Sequence, residues 1–413
     1  MKLRNDTIAA LDIGTTKTCC LVARTGPDGM PRVRGIGHQM SRGLKAGAII
    51  DMDAVEASIL QAVHAAEQMA GETVHSVLVN LSCGRPGSRR LDVEVALNGH
   101  EIGDADLRRV FEEGQIHVDL EEREVIHSIP VGFRVDDASG IRDPRGMFGD
   151  NLGVEMHVIT ATSGPVRNLV TCVERSHLDI ERVVLSAYAS GLACLVEDEM
   201  DLGATVIDMG GGTTSLGVFV NGKVVYTDVV PVGGHHVTSD IARGLCTSVA
   251  DAERIKTLYG STSTLPGDDK ARIDVPPVGE PQTGEPNYVS KSLLHRIIRP
   301  RIEETFEMVR AALEASGLDR LAGRRVILTG GACQLQGVRE LAALILDKQV
   351  RIGRPARIAG LAESMSGPAF STAAGLLLYA NAAENEGFGM EQERSGDPEG
   401  FLRRLSLWLK ENF

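Results

Sequence analysis

Paired cysteines, excess positive charge and long apolar runs are all missing from this chain. Its seven cysteines are scattered at positions 19, 20, 83, 172, 194, 246 and 333, without the CxxC pairs that would suggest a zinc site or thiol exchange. That usage points to a reducing, cytosolic compartment. Nowhere do 18 apolar residues run uninterrupted, so no bilayer-spanning helix is expected. The opening MKLRNDTIAALDIG has no apolar stretch long enough for a secretory signal. Lys and Arg number 43 against 56 Asp and Glu, a net charge of -13, which is the wrong sign for wrapping nucleic acid. Taken over the whole chain, it also argues against an anionic membrane surface. Aromatics make up only 4%, and the one tryptophan stands at position 408. What is present is ordinary for a folded protein: 43% apolar and 24% charged residues in 413. At roughly 150 residues per domain, that length predicts about two to three domains.

Several segments read as strand, turn, strand. Ile8 to Leu11 and Cys19 to Ala23 flank a Gly/Thr turn, and Thr205 to Ile207 and Leu216 to Val220 flank a second one. LDIGTTKTCCLVA and VIDMGGGTTSLGVFV share one plan: an apolar strand ends in Asp, a glycine turn follows, and a strand returns. This suggests an internal duplication. Helical patterns from Met52 to Met69 and from Val166 to Ser176 lie between them, and strands alternating with helices predict an α/β chain. Residues 84–160 mix short strands with a charged helix near Ala105 to Glu113 and read as a separate module. The stretch 260–287, rich in Gly, Pro, Ser, Thr and Asp, reads as a long mobile loop. Residues 383–400 read as a flexible acidic linker.

The turn Asp12-Ile13-Gly14-Thr15-Thr16-Lys17 has the parts of a phosphate site. Glycine lets the backbone approach an anion, turn amides and Thr hydroxyls donate to it, Lys17 adds charge, and Asp12 can hold magnesium through water. Alone it is equally compatible with an ordinary hairpin. It is not a P-loop, because no glycine precedes Lys17 and a strand follows instead of a helix. Asp208-Met209-Gly210-Gly211-Gly212-Thr213-Thr214 is more specific, since each glycine costs about 0.5–1 kcal/mol relative to Ala in regular structure. A third strand, Arg325 to Thr329, runs into Gly330-Gly331 and a predicted helix from Leu335 to Leu346. Glu253 and Lys256, three apart, share one helix face.

These elements, in this order, resemble the actin/Hsp70/sugar-kinase ATPase superfamily. Within it the chain is similar to the bacterial cell-division family FtsA over essentially its whole length. The likeness is carried by ALDIGTTKT, SRGLKAG (41–47), IDMGGGTTSLGVF, PVGGHHVTSDIA (231–242), VILTGGACQLQG, VRIGRPARIAGL (350–361) and FSTAAGLLLY (370–379). The resemblance implies an α/β, actin-like two-domain fold with duplicated βββαβα cores. The first core would span 5–83 and 161–197, with an FtsA-type inserted subdomain at 84–160. The second would span 198–244 and 314–382, with a small subdomain at 245–313. It further implies ATP with magnesium held through water by Asp12 and Asp208. Gly14, Thr15, Thr16, Lys17, Gly210, Gly211, Gly212, Thr213 and Thr214 would surround the phosphates. Glu253 and Lys256 would meet the ribose and base, and Gly330 and Gly331 the adenine side. Where several relatives carry a Glu or Gln that orients the attacking water, this chain reads Leu185-Ser186-Ala187-Tyr188-Ala189-Ser190-Gly191. That implies nucleotide binding with at most slow hydrolysis.

On a helical wheel, Phe401, Leu402, Leu405, Trp408, Leu409 and Phe413 fall within roughly 140°, broken only by Asn412, with Arg403, Arg404 and Lys410 outside. Leu407 alone lies on the wrong side. This is the pattern of a helix lying in a membrane interface. Three basic side chains against Glu411 give this segment a local balance of +2 before the terminal carboxylate, so the acidic body does not argue against an anionic lipid contact here. The resemblance implies that such a protein polymerises, tethers FtsZ to the cytoplasmic face of the inner membrane at the septum, and recruits later division proteins. The C-terminal peptide of FtsZ would dock near Arg301, with Lys291 and Arg299 nearby, whereas the upstream position often basic in relatives is Asn287. A pilus-assembly actin homologue and a sugar-kinase-type enzyme are the alternatives within the superfamily.

Overall fold

The computed structural model describes residues 7–116, 122–279, 287–356 and 358–386. The segments 383–400 and 401–413, read as linker and interfacial helix, therefore lie almost wholly outside the described residues, as does 280–286. Among the described residues no helix is long and apolar enough to cross a membrane.

The chain opens with a meander, β1 (Thr7–Ile13), β2 (Lys17–Thr25) and β3 (Pro31–Met40), followed by a short ladder of β4 (Leu44–Lys45) and β5 (Ala48–Ile49). Helix α1 (Met52–Ala70) then leads to β6 (Ser76–Leu81). Asp51 caps α1 by accepting from the Ala54 N–H. Val55, Ile59, Ala62, Val63 and Ala66 line its buried face at helical spacing. A separate unit follows: β7 (Gly87–Ala96), α2 (Asp104–Ile116), β8 (Arg123–Val135), β9 (Ala138–Ile141) and β10 (Asn151–Thr162). It has its own core around Val93, Leu107, Val110, Phe133 and Met156. Helix α3 (Ser163–Arg175), β11 (Asp179–Leu185), α4 (Ser186–Cys194) and α5 (Glu197–Leu202) complete the first half.

The second half repeats the plan with β12 (Ala204–Met209), β13 (Thr214–Val220) and β14 (Lys223–Val230), then α6 (Gly234–Leu245) and α7 (Val249–Tyr259). It continues through β15 (Arg272–Asp274), β16 (Tyr288–Ser290), α8 (Lys291–Ala315), β17 (Arg325–Thr329), α9 (Val338–Leu346), β18 (Gln349–Ile352) and α10 (Ser371–Glu386). The two large sheets run β3-β2-β1-β6-β11 and β14-β13-β12-β17-β18. In each, a three-stranded antiparallel meander is extended by two parallel strands, so the duplication read from two turns extends to whole sheets. Helices α4 and α10 lie between the sheets. Ala189, Ala193, Ala373 and Leu377 share one core with Ala10 and Leu21 on one side and Val206 and Phe219 on the other.

Two local expectations change. The helix expected from Leu335 begins at Val338, after a 3₁₀ turn at Gly331–Gln334, because Gly337 takes a left-handed φ of +81° that cannot continue a helix. Within the stretch read as a loop, Arg272–Asp274 pairs with Tyr288–Ser290, and Ile273 is buried in the core of the second half. A single isoleucine between polar neighbours carries too little periodicity to announce such a strand.

The inserted unit is locked to the second half by His157. Its Nδ1 lies 2.8 Å from the Val224 carbonyl, its Nε2 pairs with Ser88 Oγ, and that same Oγ accepts from the Thr227 N–H at 3.1 Å. Burial lowers the imidazole pKa from 6.5 to about 4, the Val224 carbonyl opposing. The unfolded chain therefore binds this proton more readily. The stabilising contribution is complete above about pH 6.5 and is lost as pH falls through about 4. The unfolding free energy of wild type over His157→Gln is expected to shrink by on the order of 3 kcal/mol between pH 7 and pH 4, measured by urea denaturation. A difference independent of pH would refute this role.

Candidate functional site

The two hairpin turns, one from each half, meet where the halves face each other. Each is closed by the same bond: the Gly14 N–H donates to the Lys17 carbonyl at 3.0 Å, and the Gly210 N–H to the Thr213 carbonyl at 2.9 Å. The turns touch. A Cβ on Gly211 would collide with Thr16 Oγ1, and one on Gly212 with Thr15 Oγ1 and the backbone of Ala46. Only glycine at 211 and 212 allows this approach. Ala46 belongs to the SRGLKAG segment, which closes over the first turn as the Gly47 N–H donates to Thr15 Oγ1 at 3.0 Å.

Behind the turns are two buried carboxylates. Burial pushes Asp12 up to about 6; the Lys17 charge opposes the rise and the Asp208 charge adds to it. Lys17 Nζ is 3.7 Å from Asp12 Oδ2, donates to the Ala369 carbonyl and lies 4.0 Å from the centroid of the Phe370 ring. Asp208 is also raised by burial, against hydrogen bonds from Ser190 and Thr372. Those donors sit 2.5 Å and 2.8 Å from Asp208 Oδ2. Two desolvated carboxylates, with the Asp208 charge raising Asp12, suit magnesium held through water. Gly330, with φ +85°, packs so tightly on Asp208 and the Met209 carbonyl that any Cβ would clash.

On the α6 side, Glu253 and Lys256 are brought together 2.7 Å apart. Lys256 Nζ also donates to Thr238 Oγ1 at 2.9 Å and to the Gly234 carbonyl at 3.2 Å. Burial alone would raise Glu253, but hydrogen bonds from Lys256 and Thr238 outweigh it and hold the carboxyl below its usual range. Ala332, just after Gly330-Gly331, faces Gly234 from the other wall. The structure thus gathers Asp12, Gly14, Thr15, Thr16, Lys17, the Asp208–Thr214 turn, Glu253, Lys256, Gly330 and Gly331 around one junction between the halves. Ser190, Thr372, Thr238 and His235 escaped the sequence reading. Ser190 lies in the small-residue helix examined only for a missing Glu or Gln, and nothing local to it marks a bond to Asp208.

Arg301, Lys291 and Arg299 lie apart from this cleft, on α8, which also contains Pro300. Arg301 grips Asp240 of α6 through Nε at 2.6 Å and Nη2 at 3.2 Å and also pairs with Glu304. Arg299 pairs with Glu303 at 2.7 Å, and Lys291 lies 3.8 Å from Asp268. The interfacial residues Phe401, Leu402, Arg403, Arg404, Leu405, Trp408, Leu409, Lys410 and Phe413 lie outside the described residues.

The family profile described as "Cell division protein FtsA" matches residues 205–375, and that of the "SHS2 domain inserted in FTSA" matches residues 84–160. The FtsA protein of Agrobacterium fabrum is 45% identical over 423 residues, covering 99% of this chain and 96% of the relative. The chain belongs to the FtsA family. The Escherichia coli K12 family member is 32% identical, with 98% of each chain covered. At this identity over nearly the full length, FtsA-family membership displaces the sugar-kinase and pilus-assembly alternatives. Among solved structures, the PilM-PilN type IV pilus biogenesis complex has a TM-score of 0.64 at 18% identity, covering 90% of this chain and 98% of that one. MreB5 of Spiroplasma citri bound to AMPPNP has a TM-score of 0.56 at 16% identity, covering 94% and 100%. At these identities the likeness is one of fold, an actin-like α/β architecture.

Proposed function

We propose that this FtsA-family cell-division protein binds Mg·ATP in the cleft, assembles into filaments, and links FtsZ to the cytoplasmic face of the inner membrane. The observation that carries the nucleotide part is the meeting of two Asp–Gly hairpins, one from each half, over the buried pair Asp12 and Asp208. Asp12 and Asp208 hold magnesium through water, Gly14 to Lys17 and Gly210 to Thr214 take the phosphates, Glu253 and Lys256 orient the ribose and base, and Gly330 with Gly331 borders the adenine. When bound, the triphosphate and its cation supply the charge that bridges the two hairpins. Because those turns touch in the closed cleft, their separation is the conformational variable to which the nucleotide couples. Its influence is limited by its differential affinity for the two arrangements.

For the partner side, Arg301 is the residue proposed to take a carboxylate of the FtsZ C-terminal peptide, flanked by Lys291 and Arg299. It must exchange Asp240 for the incoming carboxylate, so both sides of that exchange can be measured. Arg301→Glu is expected to weaken peptide binding at least about tenfold by fluorescence polarisation, and Asp240→Asn to strengthen it. Affinity unchanged by Arg301→Glu would count against the site.

The link as a whole is tested by sedimenting FtsZ with anionic vesicles. FtsZ should pellet only when this protein is added with ATP, and pelleting that does not depend on the protein would overturn the reading. Later division proteins would then be recruited to the same surface.

A further inference from the structure

The first turn of α6 reaches across the cleft. The His235 N–H donates to the Gly211 carbonyl at 2.8 Å, which seats the residue on the second hairpin. Its Nε2 lies 3.4 Å from Thr16 Oγ1 at the tip of the first hairpin. It thereby bridges one hairpin to the other. One turn further along the same helix face, Thr238 contacts Lys256 and Glu253, the pair assigned to the nucleoside end. The helix face therefore runs from the nucleoside markers at 238 to the hairpin tips at 235, where the end of a phosphate chain would lie. Any ligand that parts the hairpins must break the His235–Thr16 contact and leave Nε2 facing the space between them.

We infer that His235 is a specificity residue that donates to the terminal phosphate of the nucleotide and so separates triphosphate from diphosphate. The inference rests on the nucleotide reading above. Burial holds the imidazole below its ordinary pKa, against the pull of the Glu253 charge, so a neutral ring with one N–H is available near neutral pH. A hydrogen bond to a charged phosphate oxygen is worth about ten- to a hundredfold in affinity.

The test measures binding of AMPPNP and ADP, each with magnesium, to the full chain by calorimetry. Wild type is expected to bind AMPPNP more tightly than ADP. His235→Ala should lose about tenfold or more on AMPPNP and less than about twofold on ADP, with an unchanged unfolding midpoint in the absence of nucleotide. His235→Asn, which keeps an N–H donor, should recover part of the loss, and it decides the matter if the alanine variant does not fold. Equal losses on both nucleotides, or no loss on either, would overturn the role of His235 while leaving the cleft as the nucleotide site. A wild-type protein that binds neither nucleotide would instead overturn the underlying reading.

Discussion

Removing residues 401–413, or making the single change Trp408→Glu, is expected to abolish co-sedimentation of this protein with anionic vesicles while nucleotide binding survives. Thirteen residues are marginal as a helix in water, so folding accompanies insertion. Six apolar side chains on one face, at up to about 1.5–3 kcal/mol each, give on the order of 10 kcal/mol gross before ordering costs and incomplete burial are subtracted. One tail then binds weakly, and a filament presenting many tails binds with avidity. A charge at 408 would fall on that face, at one edge of its arc, and remove its largest side chain. The 14 residues between the end of α10 and position 401 would allow this: read as a flexible chain, they would have an r.m.s. reach of roughly 20 Å. The acidic body would repel an anionic lipid surface, which would confine any contact to the tail. Vesicle pelleting retained by the truncated protein would sink this account.

Gly212→Val is expected to reduce nucleotide affinity by about a hundredfold or more, with the fold intact by circular dichroism. A Cβ at 212 would run into Thr15 Oγ1 and, less forgivingly, the backbone of Ala46. A side chain can rotate away, but the backbone of the segment closing over the first hairpin cannot, and the valine would also fill the gap that opens when the hairpins part to admit the phosphates. In a site where the two hairpins must each reach the same phosphates, a separation of even 1 Å forfeits charge-assisted hydrogen bonds worth about 1.5–3 kcal/mol each. Calorimetric titration with AMPPNP measures the loss, and wild-type affinity in the valine variant would contradict the close approach.

The cleft was legible in the sequence wherever its chemistry is local. Asp, Gly and Thr in a turn between two apolar strands mark a hairpin because strand and turn preferences act over a few residues. Two such turns in one chain suggested the duplication that the matching sheet orders display. Side chains recruited from a distance carried no such mark. Ser190 and Thr372 come to Asp208 from helices α4 and α10, which are small-residue helices packed between the sheets. His235 stood unremarked inside PVGGHHVTSDIA, and its value comes from Thr16, on the opposite hairpin. Arg301 was identified as a cation, while its grip on Asp240 follows from how α8 lies against α6.

Sequence alone determined the alternation of strands and helices, the two Asp–Gly turns, the separate unit at 84–160 and the amphipathic character of the last residues, because each depends on composition and periodicity within a short window. Tertiary structure alone decided that the turns face and touch, that Asp12 and Asp208 are desolvated together, and that His157 fastens the inserted unit to the second half. These follow from the packing of two sheets about α4 and α10, which brings residues distant in the chain within hydrogen-bonding distance and excludes the water that would otherwise screen their charges.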